Sequence, residues 1–317
     1  MTQSAINPQA PRRALRLGTR RSPLAMAQAT EARARICAAH GWPEDAVELV
    51  PVIASGDKIQ DRPLAELGGK ALWTRELDHW LLEERIDGAV HSMKDVETQR
   101  PDDLTIGAIL PRADRRDVLV GARTIGGIPQ GATMGSSAPR RAAQMRHLRP
   151  DLKVVLFRGN VATRIAKLAA GDADVTLLAK AGLDRLGEGG VGTPLEPGEF
   201  LPAPAQGAIG IECRAADGWM RQVLAAVDHA SSHAEVAAER ALLAHLGGTC
   251  HSPVALECRR QEDGRLFLRV ALFSPDGTVR VDGEWLLDPG DTAATADCAA
   301  DLLNRAAPAI QAVFRGR

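Results

Sequence analysis

Between Asp87 and Val96 the chain reads Asp-Gly-Ala-Val-His-Ser-Met-Lys-Asp-Val, so a cation, Lys94, stands beside an anion, Asp95, just after a short apolar run. Gly88 to Val90 reads as a buried strand. Charges at the end of a buried strand are costly unless paired or used, and ligand sites in α/β folds lie outside the carboxyl ends of such strands. Lys94 and Asp95 are therefore either a capping ion pair or part of a site. Arginines recur where strands or loops give way to helices: Arg20 and Arg21 before Ser22, Arg140 and Arg141 after Ser136 and Ser137, Arg158 in Phe-Arg-Gly-Asn, Arg164, and Arg185 in Gly-Leu-Asp-Arg-Leu-Gly. One arginine in such a place is ordinarily solvated surface. Several at equivalent junctions of two β/α units point to a cleft for many negative groups. Guanidinium offers paired donors to carboxylate or phosphate, and helix N-termini add N–H groups and dipole. Each charge-assisted hydrogen bond is worth about 1.5–3 kcal/mol, so several grip a polyanion.

The elements that must position these residues alternate. Ala14–Thr19 and Val47–Ala54 read as strands around an Ala-rich helix, with Ser22 as N-cap, Pro23 at its first position and Gly41 near its end. A helix over about Lys70–Glu84 carries Trp73, Leu77, Trp80 and Leu81 on one face, a stripe expected to be core. The Gly88 strand and Leu104–Leu110 follow. The alternation resumes with strands at Asp117–Gly121, Ala132–Gly135, Lys153–Phe157 and Asp174–Ala179, and helices over Pro139–Leu148 and Val161–Ala170. This rhythm predicts parallel sheets. Glu188–Pro204 reads as a loop or crossover, and Ala208–Cys213 as a strand that rejoins the first sheet. Then come a helix over Ala234–Leu246, strands at Val254–Cys258, Leu266–Phe273 and Val279–Leu287 with a turn at Ser274–Gly277, and a last helix from about Ala293 to Val313. The expected organisation is a disordered polar tail over 1–13 and a first domain over 14–112, to which 208–226 returns. A second domain covers 113–207, and a third, α+β and of ordinary size, covers 227–317.

Composition narrows the function classes. The 317 residues exceed what one core usually holds, and 45% apolar with 25% charged residues is ordinary for a soluble globular protein. At a net charge of −1, no overall field draws the protein to nucleic acid or membrane. Aromatics at 3%, with no tyrosine, argue against a stacking platform for single strands. No stretch is long and apolar enough to span a bilayer. Five scattered cysteines without C-x-x-C spacing fit a reduced, cytoplasmic protein. Gly187–Gly192 matches G-x-G-x-x-G as a string, but no strand leads directly into it and Thr193-Pro194 replaces the helix. Around Gly68-Gly69-Lys70, Leu64 stands where a P-loop needs its first glycine and Ala71 where it needs Ser or Thr. His245, Cys250, His251 and Cys258 match no usual zinc spacing, so no metal is expected. There is no G-x-S-x-G elbow.

Several stretches resemble the porphobilinogen deaminases, also called hydroxymethylbilane synthases. They are Thr19-Arg-Arg-Ser-Pro-Leu-Ala25, Gly68-Gly-Lys70, Ala89-Val-His-Ser-Met-Lys-Asp-Val96, Arg158-Gly-Asn-Val-Ala-Thr-Arg164, Ala181-Gly-Leu-Asp-Arg-Leu-Gly187, Leu201-Pro-Ala-Pro-Ala-Gln-Gly207, Gly210-Ile-Glu-Cys213 and Leu246-Gly-Gly-Thr-Cys-His-Ser-Pro253, in family order from about residue 14 to the C-terminus. The resemblance implies an α/β protein of three domains, the first two like type II periplasmic binding proteins around a cleft and the third a small α+β domain. It implies a transferase of porphyrin (haem) biosynthesis that joins four porphobilinogen molecules head to tail, releasing ammonia each time, to give hydroxymethylbilane. It also implies a dipyrromethane cofactor held by a thioether to Cys250, although a lone cysteine in a Gly-rich loop, taken by itself, reads as inert. Loss of ammonia leaves an electrophilic azafulvene, the free α-carbon of the chain end attacks it, and positive charge develops on the pyrrole nitrogens. A fixed carboxylate stabilises that charge. The resemblance gives this role to Asp95, with proton transfer to the departing amine as a further task.

By the same resemblance, Lys94, Arg140, Arg141, Ser136, Ser137, Arg158 and Gln206 contact the cofactor, and Arg20, Ser22, Arg158, Arg164 and Arg185 the substrate. The acetate and propionate on each pyrrole account for the arginines. A cytoplasmic monomer is implied that passes its product to uroporphyrinogen-III synthase, with neither nucleic acid nor membrane as partner. Some positions depart from the family pattern. Ser136-Ser137-Ala138-Pro139 stands where many members have Thr-Ser-Ser-Leu, Glu66 where some have Lys, Ala205 where Gly is common, and Trp73 where Phe is common. None removes Asp95, Cys250 or the paired arginines, so activity is expected. A non-catalytic two-lobed receptor for an organic anion suits the arginines equally, but it leaves Cys250 and the third domain without a purpose.

Overall fold

The computed structural model describes residues 13–52, 74–249 and 251–315 of the chain. The expected tail up to residue 12, the positions Glu66, Gly68–Lys70 and Trp73, and Cys250 lie outside the described residues. Arg13 is described, and its guanidinium donates twice to Asp87 at 2.7 Å.

Strand β1 (Leu15–Arg20) leads into α1 (Pro23–His40). Ser22 caps this helix, its Oγ accepting from Ala25 N at 3.3 Å, and Gly41 closes it in the left-handed region at φ +66°. Strands β2 (Val47–Val52) and β3 (Gly88–Ser92) run parallel to β1 on either side. Between them α2 (Arg75–Leu82) buries Leu77 and Leu81 against Val52, Ile86 and Ala89, as the apolar stripe requires. After β4 (Leu104–Ile109) the chain crosses to a second sheet.

That sheet holds β5 (Asp117–Val120), β6 (Thr133–Gly135), β7 (Lys153–Val155), β8 (Val175–Ala179) and the two-residue β9 (Thr193–Pro194). Its helices are α3 (Pro139–Leu148), α4 (Val161–Ala169) and α5 (Lys180–Arg185). The chain then returns as β10 (Ile209–Arg214), inserted between β3 and β4, so the expected rejoining of the first sheet is observed.

The two sheets share one plan: β2-β1-β3-β10-β4 and β7-β6-β8-β5-β9. In each, the fourth strand is antiparallel to both neighbours and is the first strand after a crossing. The parallel sheets predicted from the β/α rhythm are therefore mixed sheets. The reason is where the chain arrives. It enters from the crossing, where the parallel strands end, and has to run the other way. The crossings, 110–116 and 195–208, touch each other. Ala113 N donates to Gly207 O at 3.3 Å, and Gly207, at φ +86°, could carry no Cβ, which would lie 2.7 Å from Ala113 O.

Helix α6 (Gly218–Ala225) packs Met220, Val223 and Leu224 into the core of the first sheet. The remainder is α7 (Ala230–His245), an antiparallel meander of β11 (Val254–Arg260), β12 (Leu266–Phe273) and β13 (Arg280–Leu287), then α8 (Thr292–Arg305) and α9 (Pro308–Arg315). Leu242, Leu256, Leu268, Val270, Leu302 and Ile310 fill its core. The single final helix expected from the sequence is two helices. Pro308 has no N–H to continue a helix and pushes the residue before it out of the helical region.

Candidate active site

Most of the expected site residues stand on the turns that follow the parallel strands. Met93–Asp95 is a single 3-10 turn at the end of β3. It is held from both sides. Ser92 Oγ accepts from Gln28 Nε2 at 2.8 Å and donates to Gln28 Oε1 at 2.9 Å, which ties the strand end to α1. Arg240 of α7 donates to Val96 O at 3.0 Å and Glu97 O at 2.6 Å. On β10 beside β3, buried Glu212 accepts from Arg100 Nε and Nη2, both at 2.8 Å, and faces His91 Nε2 at 3.2 Å. Burial pushes the Glu212 carboxyl up, but His91 and Arg100 outweigh it and hold the group at about 2.

Lys94 and Asp95 are half-buried. Burial pushes the Lys94 ammonium down to about 8. Arg141 and Arg140 push the same way, while Asp95 and Asp117 oppose them. The turn of the first sheet thus lies within electrostatic reach of the start of α3 in the second.

At that start, buried Ser136 Oγ accepts from Ala138 N at 3.2 Å, and Ala138 occupies the N-cap position with no side-chain cap. Arg141 donates from Nε and Nη2 to Asp117 Oδ1 at 3.0 and 2.6 Å, and from Nη1 to Leu177 O at 2.8 Å. Arg140 Nη1 donates to Leu201 O at 2.7 Å, and its Nη2 faces Asp117 Oδ2 at 2.7 Å. Asp117 is fully buried. Desolvation raises its pKa, yet the two guanidinium charges overcome this and hold it at about 2. One carboxylate against two guanidinium groups leaves a positive surplus.

Arg164 of α4 donates to Gly159 O at 3.0 Å and to Ser137 Oγ at 3.4 Å. Burial lowers its pKa to about 10, aided by Arg141 and Arg158 and opposed by Asp95. Arg158 is buried on the turn after β7. Arg20 and Ser22 stand at the end of β1, beside β3, with the Ser22 hydroxyl engaged as a helix cap. Arg185 and Gln206 pack at the paired crossings, the hinge between the two sheets. Arg185 Nη2 donates to Gly207 O at 3.1 Å and its Nε lies 3.5 Å from Glu31 of α1. Gln206 Nε2 donates to Arg115 O at 2.8 Å and Asp117 Oδ1 at 3.2 Å. Cys250 lies outside the described residues. On either side of it, Thr249 N donates to Ser252 Oγ at 3.0 Å and His251 N to Thr249 Oγ1 at 3.2 Å, at the C-terminal end of α7.

Sequence reasoning missed Asp117, Glu212 and Arg240. The first two carried a usable signal. Each is a carboxylate at the start of, or inside, an apolar strand run, Asp-Val-Leu-Val and Ile-Gly-Ile-Glu-Cys, the same pattern that singled out Lys94 and Asp95. Arg240 lies on a helix with no local sign of its distant partners.

Lys94, Arg140, Arg141, Arg158 and Arg164 form a cationic cluster in which Asp95 and Asp117 are the carboxylates that act on them. This donor set suits a ligand bearing several carboxylates, as a dipyrromethane does. Fold and site define a two-lobed α/β protein with a cationic cluster beside the half-buried carboxylate of Asp95 and a small third domain braced against the crossings.

Residues 15–222 match the family model described as "Porphobilinogen deaminase, dipyromethane cofactor binding domain", and residues 233–304 match "Porphobilinogen deaminase, C-terminal domain". The chain belongs to the porphobilinogen deaminase family, transferases of tetrapyrrole biosynthesis with a dipyrromethane cofactor. The porphobilinogen deaminase of Sphingopyxis alaskensis is 56% identical over 305 residues, covering 95% of this chain and 96% of that one. That of Paracoccus denitrificans is 48% identical over 302 residues, covering 94% and 96%. Among solved structures, the periplasmic VFT2 domain of Bordetella pertussis BvgS overlaps 68% of this chain and 86% of its own, loosely, at a TM-score of 0.39 and 14% identity.

Proposed function

We propose that Asp95 is the carboxylate at which four porphobilinogen molecules are joined in turn, and that Cys250 anchors the cofactor by a thioether. Each addition forms a carbon–carbon bond, breaks the aminomethyl carbon–nitrogen bond, releases ammonia and expels the α-proton of the attacking pyrrole. After the fourth addition, water adds at the methylene carbon that joins the new tetrapyrrole to the cofactor, that carbon–carbon bond breaks, and hydroxymethylbilane leaves. Bound at Cys250, the dipyrromethane supplies the nucleophilic pyrrole from which the chain grows.

The protein's own residues bind, orient and compensate charge. Asp95 accepts the pyrrole N–H groups, offsets the positive charge that develops on them, and hands a proton to the departing amine. Arg140, Arg141, Arg158 and Lys94, with Ser136 and Ser137, hold the acetate and propionate groups of the cofactor, and Gln206 acts on them from the hinge. Arg20, Ser22, Arg158, Arg164 and Arg185 hold those of the incoming substrate. The observation that carries this reading is the Lys94–Asp95 turn of one sheet lying within the field of Arg141 and Arg164 of the other.

We extend the proposal to a division into 14–112 with 208–226, 113–207, and 227–317. It also covers a cytoplasmic monomer whose linear product passes to uroporphyrinogen-III synthase. Intact mass spectrometry of the purified protein tests the anchor. Wild type should weigh more than its translated chain by one dipyrromethane and colour with Ehrlich's reagent, and Cys250→Ser should do neither. An adduct that survives in Cys250→Ser moves the anchor elsewhere. Failure of the loaded wild type to convert porphobilinogen to hydroxymethylbilane refutes the activity.

A further inference from the structure

Asp117 is the first residue of β5, directly after the outgoing crossing, and it is fully buried. Its Oδ1 accepts from Arg141 Nε and Nη2 at 3.0 and 2.6 Å and from Gln206 Nε2 at 3.2 Å. Its Oδ2 faces Arg140 Nη2 at 2.7 Å as an ion pair. Arg140 and Arg141 open α3, while Gln206 belongs to the return crossing and also donates to Arg115 O of the outgoing one at 2.8 Å. One carboxylate therefore touches both arginines and is reached from both crossings. The carbonyls of Leu177 and Leu201 fix the other sides of the two guanidinium groups. Two adjacent buried guanidinium groups repel each other unless a counter-charge stands between them, and a ligand cannot supply it before it arrives.

We propose that Asp117 is a positioning residue for the reaction. It sets the directions of Arg140 and Arg141 from the hinge, and Gln206 makes that setting follow the relative position of the two lobes. The inference rests on the reading of the arginine pair as the grip on the cofactor's carboxylates. Asp117 itself touches no reacting group. An amide in its place shows why the charge matters. Asn at 117 can still accept from Arg141 through Oδ1, but its NH2 group meets Arg140 Nη2 donor to donor, so Arg140 has to swing away. A displacement of about 1 Å in such a support costs about 100-fold in rate.

The test uses holoprotein of Asp117→Asn, Gln206→Leu and Arg140→Gln, each normalised by intact mass to the fraction carrying the cofactor, with kcat and KM for porphobilinogen measured on that fraction. A merely structural role lowers yield and melting temperature and leaves kcat per loaded molecule unchanged. For Asp117→Asn the expected result is cofactor mass retained, kcat lower by about tenfold or more, and KM within about twofold of wild type. Gln206→Leu, which removes a buried hydrogen bond without altering charge, should move kcat the same way by a smaller factor. A kcat for Asp117→Asn within about twofold of wild type overturns the positioning role. Should that variant not accumulate, Gln206→Leu decides alone, and an unchanged kcat overturns the role. Normal turnover by Arg140→Gln overturns instead the assignment of the arginine pair, which separates the two failures.

Discussion

Arg240 Nη1 donates to the carbonyl of Val96 at 3.0 Å, one residue past Asp95. A helix of the C-terminal part thereby grips the turn that carries the candidate catalytic carboxylate. The preceding residue on that helix, Glu239, accepts from Arg112 Nη1 and Nη2 at 2.8 and 3.0 Å in the outgoing crossing and from Cys258 N at 3.0 Å in β11. The outgoing crossing and the Asp95 turn are thus braced by one helix.

Replacing Arg240 with alanine should therefore reach the chemistry through the turn. The change removes charge-assisted hydrogen bonds to the carbonyls of Val96, Glu97 and Thr98. The expected loss is about 1.5–3 kcal/mol of stability in denaturant unfolding, with a fall in kcat. A variant as stable as wild type would show that the grip contributes nothing.

Asp95→Asn keeps the size and hydrogen-bonding reach of the side chain and removes its charge. A neutral amide cannot offset a developing pyrrole cation. The variant should carry the cofactor, seen by mass, and turn over about 100-fold or more slowly. Near-normal hydroxymethylbilane formation would take the reaction away from this carboxylate.

If Lys94 holds ligand carboxylates, as proposed, it sets a limit on the alkaline side. Its ammonium is pushed down to about 8, chiefly by burial. The charged form holds carboxylates and the neutral form does not. The grip is therefore full below pH about 7 and lost as pH rises through about 8 and beyond. Lys94→Arg stays protonated throughout this range. If Lys94 sets the limit, the alkaline fall in kcat/KM should shift to higher pH in the arginine variant. An unmoved profile would assign the fall to another group.

Legibility in the sequence followed locality. Helix α1 could be read because its start and stop are written in adjacent residues, Ser22, Pro23 and Gly41. The turn at Asp95 could be read because an apolar strand runs straight into paired charges. Strand direction could not. Whether β5 and β10 run with or against their neighbours depends on the end of the sheet at which the chain arrives, which no residue within them records. Helix α5 follows β8 without a break and is too short to show a period. The paired arginines were visible as arginines, but their counter-charge was not. Asp117 stands 24 residues from Arg141 along the chain and meets it only when β5 shares a sheet with β6, the strand that leads into α3.

Ala205 sits at φ +58°, in the left-handed region. Its N–H donates to Glu239 Oε2 at 2.5 Å, so the hinge holds it there. An L-residue with a Cβ costs roughly 1–2 kcal/mol in that region. Glycine removes the strain but gains freedom in the unfolded chain, which returns about 0.4–1 kcal/mol. The net expectation for Ala205→Gly is a stabilisation of about 0.5–1 kcal/mol, read as a higher denaturant midpoint at constant slope. A lower midpoint would mean that the alanine methyl, buried against Met93, Val96 and Val236, contributes more by packing than its backbone loses by strain.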